Sequence, residues 1–495
     1  MVETLIYKLD QTRKPLFDEL VKYTKQNVTP FDVPGHKQGR GIHSEFKKIV
    51  GENIFKMDVN SSKQIDLLSN PTGVIKEAEE LAADCFGADN AFFMVNGSTA
   101  SIQNMILSTV RSGEKIILPR NVHKSTINAL VLSGAKPVYL KPYTDEVHGV
   151  SMGVSFIDVK NTIDANLDAA VLFMLSPTYF GVTSDLEKII KYAHSFNIPV
   201  IVDEAHGSHF GFSNRLSENS IRYGADISTM SIHKTGGSLT QSSIMLHNNG
   251  LIPLARVRSV INLSQTSSAS YLLLASLDIA RHKLVNDTNF EKIIDLAIYA
   301  KKEIDSIPGL FCLSEDIENG DSIYRTDPTK LVINVSGLNI TGFAAYDLLK
   351  EKFNIQLELG ETNVVLAVIS VGDTMDNINI LISALRKLSK APGKTEAKSI
   401  KYKMNIPISV LTPREAFFSE SETISIDNCL GRVSGDSIMI YPPGIPLIVP
   451  GEVFSQEILN DYSFFNNQGN AVVGSSINEG KIQLKVLKEV KQWAI

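Results

Sequence analysis

Between residues 80 and 250, short apolar runs alternate with longer stretches whose apolar residues recur at helical spacing. That alternation is the pattern of repeated strand-helix units built around a mostly parallel sheet. The apolar runs at 91–95, 115–118, 137–140, 170–175, 200–203 and 227–231 are the predicted strands. A helix is predicted over 98–110, where Ile102, Met105, Ile106 and Val110 share a face and Gly113 lies just beyond as a stop signal. Polar, charged or glycine-bearing residues follow almost every run. Open α/β sheets bind ligands at the carboxyl ends of their strands, so chemistry is expected in those loops.

A second unit is expected from about Thr288, with a helical pattern through Ile304 and then an α+β stretch that includes 330–335 and 363–370. The polar, Pro- and Gly-punctuated segment 390–398 reads as a linker. The expected division is an N-terminal arm (1–60), a large α/β domain (61–287), a small α+β domain (288–390), a linker (391–400) and a C-terminal domain (401–495). No internal repeat or low-complexity tract interrupts this order.

Composition narrows the class of protein. With 495 residues, 43% of them hydrophobic, the chain exceeds what one core supports. The net charge of −6 and the lack of a Lys/Arg block give no reason to expect nucleic acid or an anionic membrane as a partner. No apolar stretch is long enough to cross a bilayer, and the start, Met1-Val2-Glu3-Thr4-Leu5, lacks a basic segment followed by an apolar run. Cys85, Cys312 and Cys429 are far apart and form no C-x-x-C, which suggests free thiols in a reducing compartment. A cytoplasmic enzyme acting on a small molecule is the expectation.

Two strand ends carry the candidate chemistry. Lys234 lies in Thr229-Met230-Ser231-Ile232-His233-Lys234-Thr235, and Asp203 ends the upstream run Ile198-Pro199-Val200-Ile201-Val202-Asp203. An amine and a carboxylate so placed can hold a pyridine aldehyde by an imine and by its ring nitrogen, which reads as pyridoxal 5'-phosphate. The lysine must be neutral to act, and an unperturbed value of ~10.4 has to be lowered by its surroundings. An aspartate after a strand is otherwise commonly a helix N-cap. Asp203-Glu204-Ala205-His206 with His209 also suggests a metal set. A glycine between the two histidines departs from the helical His-Glu-x-x-His pattern, so no metal is expected.

A phosphate needs backbone N–H groups and hydroxyls at a positive helix end. Asn96-Gly97-Ser98-Thr99-Ala100 supplies them, with Gly97, Ser98 and Thr99 as ligands and Ser231 and His233 approaching from beside the lysine. His123, after another strand, is a candidate to stack on the pyridine or to move a proton at the substrate's α-carbon.

Taken in order, these strings resemble the ornithine/lysine/arginine decarboxylase family of fold-type-I pyridoxal phosphate enzymes. The likeness runs from Pro34-Gly35-His36-Lys37 through Asp66…Pro71-Thr72-Gly73, Asn96-Gly97-Ser98-Thr99, His123-Lys124-Ser125, Ser176-Pro177-Thr178-Tyr179-Phe180-Gly181 and Asp203-Glu204-Ala205-His206-Gly207 to Ser231-Ile232-His233-Lys234-Thr235. It continues through Leu239-Thr240-Gln241-Ser242-Ser243 and Tyr271–Asp278 to Tyr441-Pro442-Pro443-Gly444-Ile445-Pro446 and Pro450-Gly451-Glu452. The short bacterial biosynthetic arginine decarboxylases, which lack an N-terminal wing, are the most alike, and decamers built through a wing are not expected. The resemblance implies an aspartate aminotransferase-like sheet domain with smaller α+β C-terminal domains. It implies Lys234 as the imine lysine, Asp203 on the pyridine nitrogen, Ala205 under the ring, His123 above it, and Ser98, Thr99, Ser231 and His233 around the phosphate. It also implies a homodimer or dimer of dimers whose active sites lie at the dimer interface, with Ser267 and Ser268 of Gln265-Thr266-Ser267-Ser268 approaching the partner's cofactor. Gly236-Gly237 departs from the bulkier residues of larger family members, and leaves the loop shape open.

The implied reaction is decarboxylation of a basic L-amino acid in polyamine biosynthesis. Arginine is favoured by resemblance over lysine or ornithine. A distal cation calls for carboxylates, and Glu358, Glu361 and Glu452 are the candidates. Transamination on the same fold, or a non-catalytic relative, are the rival classes, since a fold does not fix which bond breaks.

Overall fold

The computed structural model describes residues 7–390, 404–441, 444–467, 471–478 and 480–488. The predicted linker at 391–400, Pro442 and Pro443 lie outside the described residues. The chain falls into two compact units, residues 1–108 with 202–290 and residues 109–201 with 291–495. Seven strands form the central sheet. They are β1 (Asn90–Met94), β2 (Lys115–Pro119), β3 (Lys136–Leu140), β4 (Ala169–Leu175), β5 (Val200–Asp203), β6 (Ile227–Met230) and β7 (Ser243–His247). Their order is β1-β7-β6-β5-β4-β2-β3, with β5 carrying the chain from the second unit into the first.

In the first unit, β7 runs antiparallel to both β1 and β6. In the second, β2 runs parallel to β3 and β4, as expected for strands joined by helical crossovers. The six predicted strands all form, within one residue at each end. Strand β7 was not predicted, because only Ile244-Met245-Leu246 of its five buried residues are apolar. The predicted helix at 98–110 is Gly97–Thr109. It starts at a Gly97 with φ +68°, a left-handed conformation that favours glycine.

The N-terminal helix Pro15–Thr24 buries Leu16 and Leu20 in the first unit. The backbone N–H groups of Leu16 and Phe17 both donate to the Asp278 carboxylate at 3.1 Å, which acts on the positive end of that helix. Arg281, fully buried, pairs with Asp278 at 2.9 Å and donates to the Gln11 carbonyl at 2.7 Å, so one buried ion pair ties the arm down.

The second unit adds the expected α+β parts. Helices Phe290–Asp305 and Met375–Ser389 accompany an antiparallel sheet of Phe311–Cys312, Lys330–Asn334, Val364–Val368 and Leu359–Gly360. Two three-stranded sheets follow in the C-terminal region, where Ile438, Ile448, Phe454, Tyr462 and Leu484 form a core. Among the described residues no helix is long and apolar enough to cross a membrane.

Candidate active site

The first unit gathers a lysine, a carboxylate, two serines and a histidine at neighbouring strand ends. Strand β6 is wholly buried and delivers Ser231 and the one-turn helix Ile232–Thr235, which carries Lys234. Lys234 Nζ lies 2.7 Å from Nε2 of His206, a contact that sequence reasoning missed. Nothing in a single sequence says which of two nearby histidines meets an amine; the only signal was a histidine three residues beyond the strand-ending aspartate.

Asp203 ends β5 at 3% exposure, and its Oδ1 accepts from the Ala205 N–H at 3.1 Å. Burial pushes its carboxyl above the ordinary carboxylate range, while the charge of Lys234 and the Ala205 N–H pull it back. Ala205 itself is buried. The capping bond to Ala205 engages one oxygen only, so a cap and a partner for a ring nitrogen are compatible.

The first turn of helix Gly97–Thr109 completes the cluster. Ser98 Oγ and Ser231 Oγ hydrogen-bond to each other, bringing the post-β1 and post-β6 loops together. Gly97 N–H donates to the Gln241 carbonyl at 2.8 Å, and Thr99 is exposed at the helix end. His233 Nδ1 lies 2.9 Å from the Ser242 carbonyl, which only accepts, so Nδ1 carries the hydrogen and Nε2 is left for other work. Two hydroxyls, a helix N-terminus and an imidazole in one place suit a phosphate.

The neighbouring loop is used differently from a metal site. Glu204 accepts from the Ser220 N–H and hydroxyl, and burial raises its carboxyl to about 8. His209 Nδ1 and Ser208 Oγ both reach Thr235 Oγ1, at 3.1 and 2.6 Å. Among the described residues no group of three or more His, Cys, Asp or Glu is placed to hold a metal ion.

The remaining candidates have separate settings. His123 is exposed, and its Nδ1 caps helix Lys124–Ser133 by accepting from Ser125, which leaves Nε2 for a proton. Ser267 and Ser268 are exposed on the loop after helix Leu254–Ser264. Within the second unit, Glu358 is exposed and accepts from the Tyr179 hydroxyl at 2.5 Å. Glu361 faces a cavity lined also by Phe180, Thr362, Met404, Leu447 and Phe465, and burial raises its carboxyl to about 8. Glu452 is fully buried and committed: Arg120 Nη2 lies 2.9 Å from its Oε2, and the Val449 N–H donates to the same oxygen at 2.8 Å. Arg120, equally buried, also donates to the Pro446 carbonyl at 2.9 Å and lies over the Tyr139 ring. That pair was not foreseen, since 332 residues separate its members.

The profile of the Orn/Lys/Arg decarboxylase major domain matches residues 14–377, and that of the family's C-terminal domain matches 396–472. The chain is 40% identical over 491 residues to the arginine decarboxylase of Bacillus anthracis, covering 98% of this chain and 99% of that one. It is 38% identical over 488 residues to the arginine decarboxylase of Bacillus subtilis, covering 98% and 99%. The crystallised lysine decarboxylase A of Pseudomonas aeruginosa shares the fold, with a TM-score of 0.83 at 21% identity over 96% of this chain and 80% of that one. The fold is thus the mostly parallel fold-type-I sheet with smaller C-terminal domains.

Proposed function

The chain belongs to the Orn/Lys/Arg decarboxylase family, and from that premise we propose that it removes CO2 from L-arginine to give agmatine, with pyridoxal phosphate as cofactor. The observation that carries the reading is the meeting, in one unit, of Lys234, the buried Asp203 and the paired Ser98 and Ser231 hydroxyls at a helix N-terminus. An aldehyde, a ring nitrogen and a phosphate would find there an amine, an acid and an anion cradle, so the residues fit the group. Pyridoxal phosphate, when bound, supplies a carbon for covalent capture of amines and a ring that accepts the electron pair of the breaking bond to CO2.

The chain's own residues do the rest. Lys234 offers its amine for covalent attachment and would give up that place to the substrate's own amine, leaving as the free amine. Asp203 holds the positive charge of a protonated ring nitrogen, which its burial among apolar strands makes strong. Ser98, Thr99, Ser231, His233 and the N–H groups after Gly97 bind phosphate, and Ala205 packs beneath the ring. Lys234 Nζ or His123 Nε2 returns a proton to the substrate's α-carbon.

Arginine is the proposed substrate because the relatives that match nearly end to end are arginine decarboxylases. Of the three acids proposed for the guanidinium, Glu452 is already neutralised by Arg120, which leaves Glu358 and Glu361 as the candidates. On this reading 1–60 is an arm, 61–287 the cofactor domain, 288–390 and 401–495 the smaller domains and 391–400 their linker. The enzyme works in the cytoplasm as a homodimer, or a dimer of dimers, in polyamine biosynthesis, with Ser267 and Ser268 turned to the partner. Three buried free cysteines support a reducing compartment. The test is to incubate the purified chain and pyridoxal phosphate separately with arginine, lysine and ornithine. Agmatine with stoichiometric CO2 is the expected product; cadaverine or putrescine alone would move the assignment to lysine or ornithine, and a keto acid would replace decarboxylation with transamination.

A further inference from the structure

The family reading leaves one buried histidine without a task. His206 is 5% exposed, and its Nε2 faces Lys234 Nζ at 2.7 Å. Two residues of the same loop, Ser208 and His209, hold the hydroxyl of Thr235 next along. The loop after β5 thus grips the lysine turn at consecutive side chains. The Thr235 contacts fix position; the His206 contact joins two groups that exchange protons.

An ammonium has only donors, so a charged Lys234 makes Nε2 the acceptor and puts the imidazole hydrogen on Nδ1. Two cations at this separation repel, so a proton on the imidazole and a proton on the amine oppose each other, and a proton that leaves the amine has the imidazole beside it to receive it. Asp203 attracts that charge from the end of β5, while Glu204 is held by Ser220, His209 by Thr235 and His233 by Ser242.

We propose that His206 is the general base that takes the proton from Lys234 Nζ as that amine attacks a carbonyl carbon, an inference that rests on Lys234 being the cofactor lysine. The form that attacks is the neutral amine, which donates one N–H to Nε2 and keeps its lone pair for the carbon. As the C–N bond forms, the carbonyl π pair moves to oxygen, which takes a proton from water, and the nitrogen becomes cationic. One of its protons then passes to Nε2, leaving the nitrogen neutral and the imidazolium with hydrogens on both ring nitrogens.

The test uses the full chain freed of cofactor and treated with trinitrobenzenesulfonate between about pH 6 and pH 9, with modification of Lys234 read by peptide mass spectrometry. Near pH 7, wild type is expected to react at Lys234 at least about 10-fold faster than His206→Gln, whose amide accepts a hydrogen bond but takes no proton. The His206→Gln rate should climb with the lysine's own titration, and free imidazole should restore the rate of His206→Ala. Unchanged circular dichroism and thermal midpoint establish that both variants are folded. Equal rates and equal pH profiles in wild type and His206→Gln, with no response of His206→Ala to imidazole, would overturn the proposal. Borohydride reduction of the same wild-type chain after addition of pyridoxal phosphate reports separately on Lys234 as the cofactor lysine.

Discussion

The lysine cluster of the first unit and the Arg120–Glu452 pair of the second are both buried polar sites, yet they are built on opposite principles. Arg120 and Glu452 are each fully buried and cancel each other at 2.9 Å, with further bonds to backbone groups of residues 446–449. Lys234 Nζ meets the His206 imidazole, and Asp203, its carboxyl raised by burial, accepts from the Ala205 N–H of its own turn. A charge neutralised by its opposite is scaffold, because its attraction is spent within the pair. An amine facing a base, with a carboxyl near enough to feel its charge, still has protons and bonds to exchange.

The sharpest way to break this comparison is to remove the reacting atom. Lys234→Ala should lower CO2 release from arginine by more than about 10³-fold while leaving the thermal midpoint close to wild type. An equal loss of stability and activity would make Lys234 a structural residue. On the scaffold side, Arg120→Met should destabilise the chain by about 3–5 kcal/mol in denaturant titration, since it strands the Glu452 charge. Adding Glu452→Leu should recover most of that loss. If Arg120→Met instead spared stability, the pair would not be scaffold.

Smaller effects sharpen the picture. Glu361→Gln should raise KM for arginine by roughly 10- to 100-fold with kcat nearly unchanged, the mark of lost ground-state binding. A change in kcat alone would remove Glu361 from the candidates for the guanidinium. The smallest effect concerns pH and stability. Burial raises the Glu204 carboxyl to about 8, so the folded chain keeps that proton over a range where the unfolded chain has lost it. The resulting stability is complete below the ordinary carboxylate range and is lost as pH rises through about 8. Glu204→Gln should reduce that loss by on the order of 1–3 kcal/mol, read from denaturation midpoints at about pH 5 and pH 9.

What the sequence announced and what it hid divide along the same physical line. Strands β1 to β5 were visible because their apolar runs are continuous, and Lys234, Asp203 and the Gly97-Ser98-Thr99 turn were visible because strand ends are where α/β sheets bind ligands. Strand β7 was hidden by its serine and histidine ends. The partner of Lys234 was hidden because His206 and His209 look alike in one dimension, while only the course of the loop after Asp203 decides that His206 meets the amine and His209 meets Thr235. The commitment of Glu452 to Arg120 was hidden by sequence distance, so an acid that reads as a substrate ligand lies in an ion pair.

The most direct measurement of the central claim is to add pyridoxal phosphate to the purified chain, reduce with borohydride, digest, and map the added mass by tandem mass spectrometry. The account predicts a single phosphopyridoxyl group on Lys234. The same mass on another lysine, or no added mass at all, would contradict it.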